Sequence, residues 1–193
     1  MEDLQNLKSL VLKTAPFSEE TWDQFKAIWK PIEVDRNTLI TAAGETEKKL
    51  YFVCKGVQRI YYIGENGKEA TIVLSYPYSF SGVVDSFLLK QPSKYHFESV
   101  TGSKFLYATV SEIDNLSREN QQVDEFIKRA VYFAFSGLLE RMVDLQCRSS
   151  EEKFKTLLKR SPQVLQVVPH KYIANYLGID PTNFSKLMNS VKF

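Results

Sequence analysis

Residues 169–193 read PHKYIANYLGIDPTNFSKLMNSVKF. Ile173, Ala174 and Leu177 recur at the spacing of one helix face, Gly178 interrupts the run, and Pro181 suits the first position of a second helix. Asp180, just ahead of it, can accept backbone N–H groups two or three residues on. Phe184, Leu187, Met188 and Val191 then give the second helix an apolar face of its own. The stretch predicts two short amphipathic helices joined by a tight turn.

Such a pair is the helix-turn-helix unit, whose second helix enters the major groove of DNA. The positions turned away from the apolar stripe are Thr182, Asn183, Ser185, Lys186 and Asn189, short hydrogen-bonding groups and one cation. These side chains reach base edges and phosphates without holding a carboxylate against a polyanion, and Lys171 lies where a phosphate contact is expected. A helical hairpin with this pattern also serves as packing alone, in a sensor or protein-interaction module that leaves DNA untouched. The residues leave both readings open.

Residues Pro169 to Met188 resemble the C-terminal helix-turn-helix of bacterial transcription regulators in the cyclic-AMP receptor protein and fumarate-nitrate reduction regulator (Crp/Fnr) family. The likeness rests on the I-A-x-Y-L-G-I turn at Ile173 to Ile179 and on Ser185-Lys186, where the family carries a small residue followed by Arg. Lys186 departs from that pattern, because a point charge lacks the rigid fork that grips guanine.

The resemblance implies an α+β chain. A β-roll or jelly-roll sensor domain is expected over residues 1–116, a long connecting helix over 117–148, and the helix-turn-helix domain over 149–193. It also implies a homodimer through the connecting helix, and double-stranded DNA read at two half-sites about one turn apart. RNA polymerase is a further implied partner, and the effector is an unidentified small molecule with no resident cofactor.

Charge agrees with that layout. The net charge is only +2, but from Glu151 onward seven Lys and Arg face three acidic residues, which gives +4 there and leaves −2 for the first 150. The surplus lies where attraction to phosphates would need it, although a solvated basic surface has the same composition.

From Ile32 to about Val110 the pattern is that of strands. Leu50–Cys54, Val57–Ile63, Ala70–Tyr76, Tyr95–Val100 and Phe105–Val110 are short, rich in β-branched and aromatic residues, and separated by turn signals such as Lys55-Gly56 and Gly64-Glu65-Asn66-Gly67. Strands repeating at this interval predict an antiparallel barrel or double-sheet jelly roll. Two helices precede them, the first over residues 3–13 and the second opened by Ser18 and running through Trp22, Phe25, Ile28 and Trp29 until Pro31.

Ser117 to Cys147 returns to helical period, with a broad apolar stripe through Val123, Phe126, Phe133, Leu138, Met142 and Leu145 that Arg141 interrupts. A helix of this length is expected either to pair with its twin or to pack along the barrel. Ser149 with Glu152 is a capping box that opens a short helix, and Val164–Val168 reads as an apolar connector beneath the helix-turn-helix.

Cys54 and Cys147 lie 93 residues apart without CxxC spacing, fit free thiols in a reducing compartment, and are each expected to be buried. Two Cys cannot hold an iron–sulfur cluster. No apolar run spans a bilayer and MEDLQNLKSLVLK does not read as a secretory signal, so a cytoplasmic location is expected.

His96 and His170 are too few for a cupin metal site. Neither a phosphate loop nor a nucleophile elbow occurs, and Asp85 and Glu98 have no evident partner, so no enzyme and no metal are expected.

Family members that bind cyclic nucleotides carry a G-E-L motif and, about a dozen residues later, an R-S or R-T pair. On this chain those positions fall on Gly82, Val83, Lys94 and Tyr95, the candidate effector pocket, and only the glycine is kept. Val83 cannot hold a ribose hydroxyl and Lys94 only partly replaces Arg on a cyclic phosphate, so cyclic AMP is not expected to bind in the family's usual way. The segment Phe80–Phe87 reads as a helical turn over a pocket, and a filled roll without an effector stays open beside it.

Overall fold

A computed structural model describes residues 2–190. Two helices lead the chain, α1 (Glu2–Thr14) and α2 (Glu19–Ala27). Ser18 caps α2 by accepting from the Thr21 N–H. The second helix stops sooner than expected. Trp29 lies beyond it, and Pro31 sits inside strand β1 (Lys30–Val34), because a residue before proline is pushed toward extended backbone and an edge strand tolerates the missing N–H.

The strands that follow are β2 (Leu39–Thr41), β3 (Lys49–Lys55), β4 (Gln58–Ile63), β5 (Glu69–Ser75), β6 (Phe80–Ser81), β7 (His96–Ser99) and β8 (Ser103–Thr109), with α3 (Val84–Leu89) between β6 and β7. They form two four-stranded antiparallel sheets in the orders β1-β8-β3-β6 and β2-β7-β4-β5, an antiparallel β-roll as the strand spacing predicted.

Alternation along β3 builds two cores at once. Tyr51 and Val53 point into the roll against Phe97 and Phe105, while Phe52 points outward to Leu7, Phe25 and Phe126 of the helices. In β8, Phe105 turns inward and Leu106 outward in the same way.

The helix expected over Ser117–Cys147 is divided. Val110–Glu119 forms α4, and α5 runs through Gln121–Cys147. Asn120 lies between them with extended backbone and caps α5 by accepting from the Gln122 and Val123 N–H groups. Its amide also donates to Thr21 Oγ1 and Gln24 Oε1, which pins the break to α2.

The start of α5 is covered, and further along it Arg141 and Asp144 are buried while the apolar side chains between and beside them are not. Val123 and Phe126 are fully buried, whereas Phe133 is 66%, Leu138 51% and Met142 55% exposed in the single chain. Cys147, expected to be buried, lies exposed at the end of α5, and Cys54 is half-buried with its thiol pushed up to about 12 by burial. The apolar side chains that precede Cys147, Met142, Val143 and Leu145, are themselves exposed, so nothing covers the thiol at that end among the described residues.

The remaining helices are α6 (Ser150–Arg160), α7 (Val164–Val167), α8 (His170–Leu177) and α9 (Pro181–Ser190). Val191, counted above in the apolar face of the last helix, lies outside the described residues. The Ser149–Glu152 capping box is closed in both directions. Phe154, Val164, Val168, Ile173, Leu177 and Phe184 make a third core, to which Val57 and Val100 of the roll also contribute. Among the described residues no helix is long and apolar enough to cross a membrane.

Candidate functional site

The exposed face of α9 is assembled by the turn before it. Gly178 adopts the left-handed conformation (φ 63°) that ends α8, a conformation that favours glycine. Asp180 Oδ1 then accepts from the Thr182 N–H at 2.9 Å and the Asn183 N–H at 3.4 Å. Phe184 buries itself edge-on to Phe154, with ring centres 5.3 Å apart, and this fixes which side of α9 faces solvent.

Thr182, Asn183, Ser185, Lys186 and Asn189 all lie on that exposed side. The Ser185 hydroxyl donates to the Pro181 carbonyl at 3.0 Å, within its own helix. Lys171 is exposed at the start of α8, its ammonium 4.6 Å from the centre of the Tyr172 ring. Lys155 and Arg160 of α6 are engaged by Glu151 and Glu140, so the surplus positive charge is carried outward mainly by the other lysines.

The four residues of the expected effector pocket separate into two pairs. Gly82 (φ +119°) and Val83 are buried at the start of α3, and a Cβ on Gly82 would lie 3.3 Å from the Lys49 carbonyl and 3.9 Å from Glu47 Oε2. Lys94 is exposed, and Tyr95 is half-buried against the roll with its ring 6.4 Å from that of Tyr62.

What meets Gly82 and Val83 is a residue that sequence reasoning passed over. Glu47 is 4% exposed, and its carboxylate accepts from Thr41 Oγ1 at 2.7 Å, the Lys48 N–H at 2.9 Å and the Lys49 N–H at 3.0 Å. Burial pushes its carboxyl above the ordinary value, against the pull of these donors and of the Val83 backbone. Nothing in the local sequence distinguishes Glu47 from the neighbouring acidic residues, since its burial comes from Thr41 and α3. Beside it opens a shallow depression of about 470 Å³ lined by Ile40, Thr41, Glu45, Glu47, Lys49 and Tyr51.

A second group links the roll to the helix-turn-helix. Arg59 is 6% exposed, bonded to Glu98 at 2.6 Å and Glu69 at 2.5 Å, and held between the rings of Tyr61 (3.8 Å) and Tyr172 (4.6 Å). Glu98 therefore has a partner that the sequence did not reveal, 39 residues away on the adjacent strand. Asp85 is exposed in the first turn of α3. Among the described residues no group of His, Cys, Asp and Glu could hold a metal ion.

Comparison with known proteins places this geometry. Residues 31–120 match the cyclic nucleotide-binding domain family. A search of curated proteins finds no match.

Among solved structures, FixK2 from Bradyrhizobium japonicum superposes with a TM-score of 0.73 at 16% identity, over 84% of this chain and 83% of that one. A putative cAMP-binding regulatory protein from Silicibacter pomeroyi DSS-3 gives 0.70 at 16% identity, over 96% and 87%. The Thermus thermophilus catabolite activator protein gives 0.59 at 17%, over 94% and 85%. The match to the cyclic nucleotide-binding domain family thus lies on residues 31–120, the β-roll with α3 and α4, and the chain shares its overall fold with these solved structures.

Proposed function

We propose that this protein is a homodimeric, DNA-binding transcription regulator of the Crp/Fnr type whose effector pocket is closed to cyclic AMP in its usual mode. The observation that carries this reading is the side of α9 turned to solvent. It is free of carboxylates and presents Thr182, Asn183, Ser185, Lys186 and Asn189 from a helix whose other side is anchored by Phe184. In the proposed mode these side chains read the major groove and Lys171 meets a phosphate.

The exposed apolar part of α5 supports pairing with a second copy, since a patch of Phe133, Leu138 and Met142 is unusual on a lone soluble chain. The pocket residues support insensitivity to cyclic AMP. Val83 is buried and apolar, and the Glu47 carboxylate lies beside Gly82 where an anionic ligand would be repelled.

A second reading has its own observation. Val57 and Val100 of the roll belong to the same core as the helix-turn-helix, which also suits a module in which these helices serve only as packing. A gel-shift titration with the DNA upstream of the protein's own gene separates the two. Binding that weakens with salt, and a shallower salt slope for Lys186→Ala, supports the regulator. Absence of a shifted band with intact dimers supports the packing module.

A further inference from the structure

Strand β5 is the outer strand of its sheet, so one side of its backbone has no strand neighbour. The Asn175 side chain of α8 takes that place. Its Oδ1 accepts from the Thr71 N–H at 2.6 Å, and its Nδ2 donates to the Glu69 carbonyl at 2.9 Å. A carbonyl and the N–H two residues on face the same way from a strand, so one carboxamide satisfies both as a neighbouring strand would.

Tyr172, one helical turn before Asn175 on α8, covers Arg59, whose other partner Glu69 is the residue that Asn175 bonds through its backbone. The Tyr76 and Ser161 hydroxyls bond alongside. Between Tyr172 and Leu177, α8 is thus two-sided, with Ile173, Ala174 and Leu177 facing its own domain and Tyr172, Asn175 and Tyr176 facing the roll and α5.

One group at this contact is left unsatisfied. Thr71 is 5% exposed, and its Oγ1 is buried with no hydrogen-bond partner among the described residues. A buried hydroxyl without a partner carries a desolvation cost comparable to what a pair of amide hydrogen bonds contributes net. Opening the contact would hydrate that hydroxyl as it broke the two bonds.

We propose that Asn175 on the outer edge of β5 is an interdomain latch, kept close to balance by the unsatisfied Thr71 hydroxyl, that sets how firmly the helix-turn-helix is held against the sensor. Closed, it leaves the exposed side of α9 free and fixes its direction. Open, the helix-turn-helix loses its polar tie to β5, and its orientation relative to the roll is less firmly set. A signal reaching the β4–β5 hairpin through Arg59, Glu69 or Glu98 would act on the latch directly.

The test is amide hydrogen exchange, resolved by NMR, on the full chain. Asn175→Ala is expected to speed exchange of the Thr71 N–H by about tenfold or more while the Ile173 and Leu177 amides keep their wild-type rates. Thr71→Val replaces the unsatisfied hydroxyl by a methyl group and is expected to slow exchange at position 71 by about fivefold. Wild-type exchange at Thr71 in Asn175→Ala, or faster exchange in Thr71→Val, overturns the latch.

A further arm alone rests on the proposed DNA-binding function. Asn175→Ala should bind a duplex with two half-sites about fivefold or more weakly than wild type and a single half-site equally, because orientation matters only when both are engaged. Equal loss on both duplexes overturns the orienting role. Failure of the wild type to bind any duplex sinks the DNA reading and leaves the latch to the exchange result.

Discussion

The guanidinium of Arg141, on α5, lies 3.9 Å from the centre of the Tyr176 ring, on α8. Arg141 is 9% exposed, and no hydrogen bond or ion pair to its side chain is found among the described residues. The ring is what this charge rests on, and burial lowers the Arg141 pKa accordingly. The one polar residue in the stripe of α5 is thus a point where that helix touches the helix-turn-helix, beside Leu145 at Gly178.

Replacing Arg141 with Ala removes both the stacked charge and the packed stem, and a loss of about 1–2 kcal/mol in urea denaturation is expected. Arg141→Met keeps the stem and relieves the buried charge, so a loss under about 1 kcal/mol is expected. Tyr176→Phe keeps the ring and should be neutral within about 0.5 kcal/mol, whereas Tyr176→Leu should show a coupling to Arg141 near 1 kcal/mol in a double-mutant cycle. Strict additivity would remove the stacking interaction from the account.

Glu47 predicts a pH dependence. Its carboxyl is raised by burial above the ordinary 4.5, so folding favours the protonated form. The stability this provides is complete below pH 4.5 and is lost as pH rises through the raised folded value. Glu47→Gln can offer its oxygen to the Lys48 and Lys49 N–H groups and its nitrogen to Thr41 Oγ1. It should fold and lack that decline. Glu47→Ala leaves the three donors without an acceptor, with an expected cost of about 2–4 kcal/mol. Thermal denaturation of the three proteins across mildly acidic and neutral pH reads both effects, and a wild-type curve parallel to that of Glu47→Gln would contradict them.

The uncovered face of α5 predicts assembly. Phe133→Glu with Leu138→Glu places two charges in a patch that is 66% and 51% exposed in the single chain, so the fold should survive with an unchanged circular dichroism spectrum. Sedimentation velocity is expected to report a dimer for wild type and a monomer for the double variant, because an unpaired carboxylate in an apolar contact costs several kcal/mol. A wild-type monomer at micromolar concentration would refute pairing through this helix.

Local signals carried much of the architecture. The β-branched and aromatic runs of Leu50–Cys54 and Phe105–Val110, the Ser149–Glu152 box and the Gly178-Ile179-Asp180-Pro181 turn each mark their element with residues a few positions apart, and the structure follows them except at Val110, which opens α4. Contacts made across the fold left no such trace. Asn120 breaks a helical period because Thr21 and Gln24 hold its amide. Glu98 acquires Arg59 only through strand pairing, and Glu47 becomes a buried carboxylate only when Thr41 and α3 close over it. Trp29 falls in helical register after Phe25, but the chain is already turning into β1 there. The α9 side chains were identifiable because their exposure follows from helix period alone, whereas Lys94 and Tyr95 depended on a register borrowed from other chains.

The measurement that bears most directly on the central claim is selection of duplexes from a randomised pool by the full-length protein, followed by anisotropy titration of the winners against wild type and Lys186→Ala at several salt concentrations. The account predicts a two-fold-symmetric site with half-sites about one helical turn apart, bound by wild type and bound more weakly, with a salt slope reduced by about one, by Lys186→Ala. A pool that yields no symmetric site, with affinity no different for Lys186→Ala, would contradict it.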